Sequence, residues 1–301
     1  MPASPERMRP AIIAASDGTR RSAHVIGRAA ALAALCDLRL IVAHVEGDKP
    51  GKAERVPKPE GQPRPLGKLG RKLAARVPAL APGKAPIDAI TAAMRDAGLQ
   101  DAPRLLQGDP ASAISTLAEE EDAVLLVLGL HRERRVLDAL RLTTMEKIVL
   151  ATQAPALIAH QPPRQGYAQV LALTDFSPAS AAALALAARL APKAQFHALH
   201  MLTLPLGARF SPDDPACDAA ITQAEQTREG FLATPGLPDL TEPPLMVPGN
   251  LHDLLKLRSE EIAADLICIG INSGRDGGRL GHYARDLMRA PPLDLLIARA
   301  G

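Results

Sequence analysis

Short apolar runs alternate with stretches of helical spacing along the whole chain. Residues 11–16 (AIIAAS) form an apolar run of buried-strand type that stops at Asp17-Gly18-Thr19. Residues 21–35 are alanine-rich with helical spacing, and 38–45 (LRLIVAHV) are apolar again. Strand, helix, strand in that order is a β-α-β unit, which implies parallel strands and a right-handed crossover. The pattern predicts a helix over 86–97 and a strand over 104–106. Gly108-Asp109-Pro110 then opens a helix to about residue 121, with Asp109 placed as N-cap and Pro110 at the first helical position. A strand over 124–128 ends in Gly129, an arginine-rich stretch follows (HRERR, 131–135), and a helix over 143–150 leads to a strand at 155–159.

After residues 160–166 the order starts again. A strand over 170–174 (VLALT) ends at Asp175, Phe176-Ser177-Pro178 leads into an Ala/Leu helix to about residue 190, and 196–202 form the next strand. A polar region with a helix over 214–232 precedes a short strand at 245–247, and Gly249-Asn250-Leu251 opens another helix. The run 266–269 stops at Gly270, passes through a Gly/Arg-rich loop into a helix, and a strand over 293–298 closes the array. Gly108 and Gly129 are 21 residues apart, and so are Gly249 and Gly270. Leu157-Ile158-Ala159 returns 139 residues later as Leu296-Ile297-Ala298, and Asp17 returns 158 residues later as Asp175. This period is too long for a solenoid and reads as a duplicated domain. The expected fold is α/β: two Rossmann-like domains, each a five-stranded parallel sheet with helices on both faces. Residues 1–160 make the first domain, 161–166 the linker and 167–301 the second. The closing strands, 155–159 and 293–298, are expected to meet as a pseudo-dimer within the chain, and a further homodimer is left open.

Composition narrows the class. The chain of 301 residues is long enough for two such cores, with 47% hydrophobic and 23% charged residues. Aromatics are only 2%, so the cores rest on aliphatic residues, and stacking platforms for single-stranded nucleic acid are not expected. The net charge of +2 does not call for a polyanionic partner. The first copy's extra length falls at about 46–84, where ten basic residues face four acidic ones; it reads as a solvated loop or as a basic arm for an anionic surface. Cys36, Cys217 and Cys268 lack zinc spacing and are expected to be reduced thiols, with no metal. Without an apolar run of membrane length or a signal-peptide pattern, the chain reads as cytoplasmic.

In doubly wound sheets ligands bind outside the carboxyl ends of the strands. Asp17, Gly129, Asp175 and Gly270 all follow directly on strands at that edge. The stretch 265–282 (DLICIGINSGRDGGRLGH) leads from a strand through glycines to a helix N-terminus, where unpaired N–H groups favour a phosphate. Glycine loops also serve as plain turns, and Asp17 and Asp175 equally suit the N-caps of the helices that follow them. No Ser/His/Asp or Cys/His arrangement can be assembled from the spacing. His44, His131 and His200 lie at strand ends or in loops.

Several phrases together resemble the universal stress protein family. VLALTDFSPAS (170–180) is very like that family's opening strand, Asp and Ser-Pro turn, and AIIAASDGT stands in its place in the first copy. GDPAS (108–112) and MEKIVLATQAPALIA (145–159) are similar to its third helix and its C-terminal segment. The resemblance covers nearly everything except the basic insertion and residues 203–240, and it implies an adenine nucleotide alpha hydrolase-like fold. Members that bind ATP carry G-x2-G-x9-G-[ST] after strand four, with an Asp at the end of strand one on the adenine side.

Neither copy matches that pattern. In the first, Gly129 is followed by Arg132 and Leu142 at the other glycine positions, and only Thr143 keeps the hydroxyl. In the second, Gly270 and Gly281 fit but stand 11 apart, Ser273 or Gly274 takes the middle place, and His282 replaces the hydroxyl residue. Arg275 and Arg279 are available there to neutralise a phosphate. The resemblance therefore implies a non-enzymatic stress-response module with degenerate nucleotide sites. Its ligand would be ATP, AMP or another small anion in the second copy, or its partner an unidentified protein. Two alternatives are an ATP-dependent enzyme of the same α/β group, whose SGGxDS-like loop is not matched by SDGT (16–19) or TDFSP (174–178), and a flavoprotein of similar topology.

Overall fold

The computed structural model describes residues 9–19, 22–46, 85–130, 142–161, 166–202, 215–271 and 282–300. Its first five strands are β1 (Ala11–Ala15), β2 (Arg39–Glu46), β3 (Arg104–Gln107), β4 (Ala123–Gly129) and β5 (Ala156–Ala159). The other five are β6 (Gln169–Leu173), β7 (Gln195–Leu202), β8 (Leu245–Pro248), β9 (Leu266–Gly270) and β10 (Asp294–Ala298). Between them run the helices α1 (Ser22–Cys36), α2 (Ala85–Asp96), α3 (Pro110–Glu120), α4 (Thr144–Ala151), α5 (Pro178–Leu190), α6 (Pro215–Leu232), α7 (Leu251–Glu261) and α8 (His282–Arg289). These bounds lie within one residue of those the sequence pattern predicts. The basic segment from residue 47 to 84 and the arginine-rich stretch 131–135 lie outside the described residues.

All ten strands join one sheet in the order β3-β2-β1-β4-β5-β10-β9-β6-β7-β8. Pairs within β1–β5 and within β6–β10 are parallel, and the contact between β5 and β10 is antiparallel. The two halves therefore meet at their closing strands, as the repeat predicts. In that seam Leu157 pairs with Leu296, its own counterpart 139 residues on, so a local twofold axis passes through this pair.

The strands read as unbroken apolar runs because helices cover both faces. Alternate side chains divide between two cores. Ile12, Ala14, Leu125, Val127, Val170 and Cys268 pack with Val25, Ile26 and Ala29 of α1, Ile90 of α2, and Ala183 and Leu184 of α5. Ile13, Leu126, Leu128, Leu171 and Ile267 pack with Ile114 and Leu117 of α3, Ile148 of α4, Leu255 of α7 and Met288 of α8. Cys268 is 1% exposed, and burial pushes its thiol up to about 12, so it serves as a small core hydrophobe. The expected cap of α3 is present: Asp109 accepts from the backbone N–H of Ser112 at 3.1 Å, with Pro110 at the first turn.

Two buried acidic groups tie the halves together. The Asp294 carboxylate accepts from the N–H groups of His160 (2.8 Å) and Gln161 (3.0 Å) and from the Tyr167 hydroxyl (2.7 Å). Arg28 of α1 approaches the same carboxylate at 2.9 Å and lies over the Tyr167 ring, 4.5 Å from its centroid. Glu146 of α4 is 0% exposed. It forms a capping box with Thr143 and accepts from Arg285 (2.9 Å) and Arg289 (3.0 and 3.2 Å) of α8. Burial opposes ionisation of Glu146, but hydrogen bonds from Arg289, from the Thr143 N–H and from Arg285 outweigh it, so its carboxyl lies below the ordinary glutamate value of 4.5. A depressed folded-state value means that the contribution is present above about 4.5 and is lost as pH falls through the lower folded value. Stability by urea titration should therefore decline as the pH is taken below that window, and E146Q should flatten this part of the profile; an identical profile in E146Q contradicts the assignment.

Candidate functional site

At the carboxyl edge of the first half, strands β1, β2 and β4 splay against α3 and α4 and leave a cleft of about 340 Å³. This is where the strand order reverses, with β2 to one side of β1 and β4 to the other. The floor is Ala15, Ala43 and Leu128 from the strand ends. Val25 of α1, Ile114 of α3, and Met145 and Ile148 of α4 supply apolar walls. Ser16, Asp17, Thr19, His44 and Thr144 supply polar groups around the mouth. An apolar slot with a few convergent polar groups is the usual form of a small-molecule site, and this volume is at the small end of the range.

Local sequence explains the polar rim. The chain must turn sharply after β1, and it does so through Gly18 at φ +72°, where a Cβ would lie 2.5 Å from Pro86 Cβ. The turn is held by Asp17, whose Oδ1 accepts from the Thr19 N–H at 3.0 Å, and by the Ser16 hydroxyl, which accepts from the Gly18 N–H at 3.3 Å. His44, near the end of β2, places Nδ1 2.7 Å from the Ser16 carbonyl oxygen, which in the neutral ring makes Nδ1 the donor.

The second half repeats this turn. The Asp175 Oδ1 accepts from the Ser177 N–H at 3.0 Å, and His200 Nδ1 lies 2.8 Å from the Thr174 carbonyl oxygen. Desolvation opposes ionisation of Asp175, but hydrogen bonds from Ser177 and Ser180 hold its carboxyl below the usual aspartate range. Phe176 takes the place of Gly18 with φ +60°. A left-handed conformation costs a non-glycine residue roughly 1–2 kcal/mol. The 5% exposed ring offsets this by stacking on His200 at 4.4 Å and leaning on Phe231 at 5.4 Å.

The structure thus sorts the residues singled out in the sequence. Asp17 and Gly129 both line the first-half cleft. Thr143 is the N-cap of α4, accepting from the Glu146 N–H at 3.1 Å, and the adjacent Thr144 is the one that faces the cleft. Leu142 is 39% exposed. Asp175 holds the corresponding edge of the second half but is not the cap of α5; that role falls to Ser177, whose side chain accepts from the Ser180 N–H. The carboxylate sits two residues too early and closes the preceding loop instead. Ser273, Gly274, Arg275, Arg279 and Gly281 lie outside the described residues, and His282 begins α8 with its side chain outside them too. Reading the sequence assigns no site role to His44, Ile114 or Met145, all of which line the cleft. The recurrence of His44 and His200 near the end of each second strand is the signal that points to the first of these.

Among the described residues there is no group of His, Cys, Asp or Glu able to hold a metal ion, and no helix long and apolar enough to cross a membrane. Residues 8–160 match the sequence model of the Universal stress protein family. No curated protein matches the chain. Among solved structures, a universal stress protein from Archaeoglobus fulgidus DSM 4304 is similar at 17% identity, over 97% of this chain and 96% of that one, with a TM-score of 0.57. A candidate universal stress protein from Pseudomonas aeruginosa UCBPP-PA14 is similar at 15% identity, over 98% of this chain and 95% of that one, with a TM-score of 0.59. At these identities the likeness is one of fold.

Gly270 has a structural use that its place in a glycine motif does not reveal. A Cβ there would lie 2.2 Å from the Ser180 backbone nitrogen and 2.3 Å from the Ala179 carbonyl carbon, in the first turn of α5. Backbone cannot yield as a flexible side chain does. G270A should therefore lower unfolding stability by about 3 kcal/mol, read from the urea midpoint. A loss below about 1 kcal/mol would mean that α5 does not rest on this glycine.

Proposed function

Because the chain belongs to the universal stress protein family, we propose that it is a non-enzymatic, cytoplasmic binding module whose first half takes an adenine nucleoside or nucleotide. The observation that carries this reading is the cleft at the carboxyl edge of β1, β2 and β4, with Asp17 at its mouth and aliphatic walls on either side. A purine is flat, largely apolar on its faces and polar at its rim, and this lining matches that distribution. Two of the cleft's polar groups already serve the turn after β1: the Ser16 hydroxyl accepts from the Gly18 N–H, and His44 is fixed on the Ser16 carbonyl. That supports binding over acid–base chemistry, which needs a base within reach of a nucleophile or substrate proton.

Residues 167–301 are read as a second domain of the same kind, so the chain is a tandem. The mirrored strand order and the whole-length likeness to the Archaeoglobus fulgidus fold support this. In the first half, Arg132 and Leu142 stand where ATP-binding relatives would have glycines, so the phosphate tail is expected to add little.

Calorimetric titration of the full chain with adenosine, AMP and ATP tests the reading. The expected result is binding of all three with affinities within about tenfold of one another. D17A should weaken adenosine by about tenfold, or about 1.4 kcal/mol. T144W, which puts an indole at the mouth from an exposed helix position, should abolish it. Failure of all three ligands to bind, or binding unaffected by T144W, would remove the first-half cleft as the site.

A further inference from the structure

We infer that the buried charges at the β5–β10 seam make the two halves complementary and non-interchangeable partners, so that this edge accepts the opposite half and rejects a like half from a second copy. The axis fixes which residues must face their own counterparts. Leu157 pairs with Leu296, and the same 139-residue spacing relates Glu146 to Arg285 and Leu150 to Arg289. Across the axis Glu146 meets Arg285 at 2.9 Å and Arg289 at 3.0 Å, so a residue faces its counterpart with the opposite charge.

Pairing two first halves would set two fully buried Glu146 carboxylates against each other. Pairing two second halves would gather four guanidiniums. Like charges held together without a counter-ion in a desolvated contact are strongly disfavoured, which is how an interface excludes a wrong partner. A second ion pair has the same logic independently. Arg28 is 3% exposed and meets Asp294, 0% exposed, from the other half. By the two spacings, 158 and 139 residues, the counterpart of Arg28 is Leu186 and that of Asp294 is Pro155. Either like-with-like pairing would leave one of these charges buried without its ion-pair partner, a costly state. Both pairs are satisfied only when a first half meets a second half.

The test uses the full chain. E146R and R285E/R289E should each lower Tm by on the order of 5–10 °C. The combined E146R/R285E/R289E chain should melt above both, although not at the wild-type value, because the Thr143 capping box is also lost. Partner choice is read by co-refolding E146R with R285E/R289E and measuring mass by light scattering. A mixed dimer that exchanges halves satisfies both seams, so it should form in the mixture beyond the level seen with either chain alone. Where E146R does not fold, E146Q keeps the size, removes the charge and should still melt below wild type. The inference fails if the combined chain is no more stable than the one-sided variants, if E146Q leaves Tm unchanged, or if the mixture holds no more dimer than its components.

Discussion

The structure depends on the antiparallel contact of β5 with β10. Each of these strands is short, and each would otherwise be an open sheet edge with unpaired backbone groups. Joined, they turn two five-stranded arrays into one sheet whose two outer edges are β3 and β8. The joint is made dry by Leu157, Ile158, Leu295 and Leu296, none of which is exposed to solvent. Asp294, at one end of the seam, gathers two backbone N–H groups and a phenol, and Glu146, on the helix beside it, gathers two arginines and a helix cap. A buried carboxylate with one partner would destabilise such a joint; with four it specifies the register and the partner.

The rest of the fold follows from that anchorage and from the chain's poverty in aromatic residues. With alanine so common on α1 and α5, these helices lie close to the sheet, and few bulky side chains stand between them and the strands. Close approach puts demands on particular positions. Gly18 passes under Pro86, and Gly270 passes under the first turn of α5. Both glycines lie at the carboxyl edge, where the turns after β1 and β6 spend their polar side chains on their own backbone. The cleft of the first half is the space left between a rigid turn and the apolar sides of α3 and α4.

Most of the fold was legible in the sequence because it rests on local, repeated signals. The apolar runs, the Asp109-Pro110 cap and the recurrence of Leu-Ile-Ala each depend on residues close together in the chain, and the recurrence carried the seam with it. The site was less legible. Asp17 and Gly129 could be placed at the right edge, but the walls that make a cleft come from three helices distant in the chain, and Ile114 and Met145 look like ordinary core residues in isolation. The pairing of Glu146 with Arg285 and of Arg28 with Asp294 was invisible for a related reason. Each joins residues more than a hundred positions apart, and an ion pair leaves no periodic trace. Phe176 was hidden by chemistry rather than by distance, since no propensity favours a phenylalanine in a left-handed turn until His200 and Phe231 are seen around its ring.

A glycine that follows a strand has two physical uses, and sequence does not separate them. It lets backbone approach a phosphate, or it lets a neighbouring helix approach the strand; both require the same missing Cβ. Gly270 satisfies the second requirement outright, with α5 backbone where a side chain would be. A glycine count alone therefore overstates the case for a phosphate at that strand end. The walls of a cleft are a better guide than the loop beyond it. Val25, Ile114, Met145 and Ile148 converge on the end of β4 in the first half, where the glycine pattern is the poorer of the two. Under the proposed function, recognition there would rest on shape and on the groups at the mouth, and a ligand held that way would be chosen by its base more than by its phosphates.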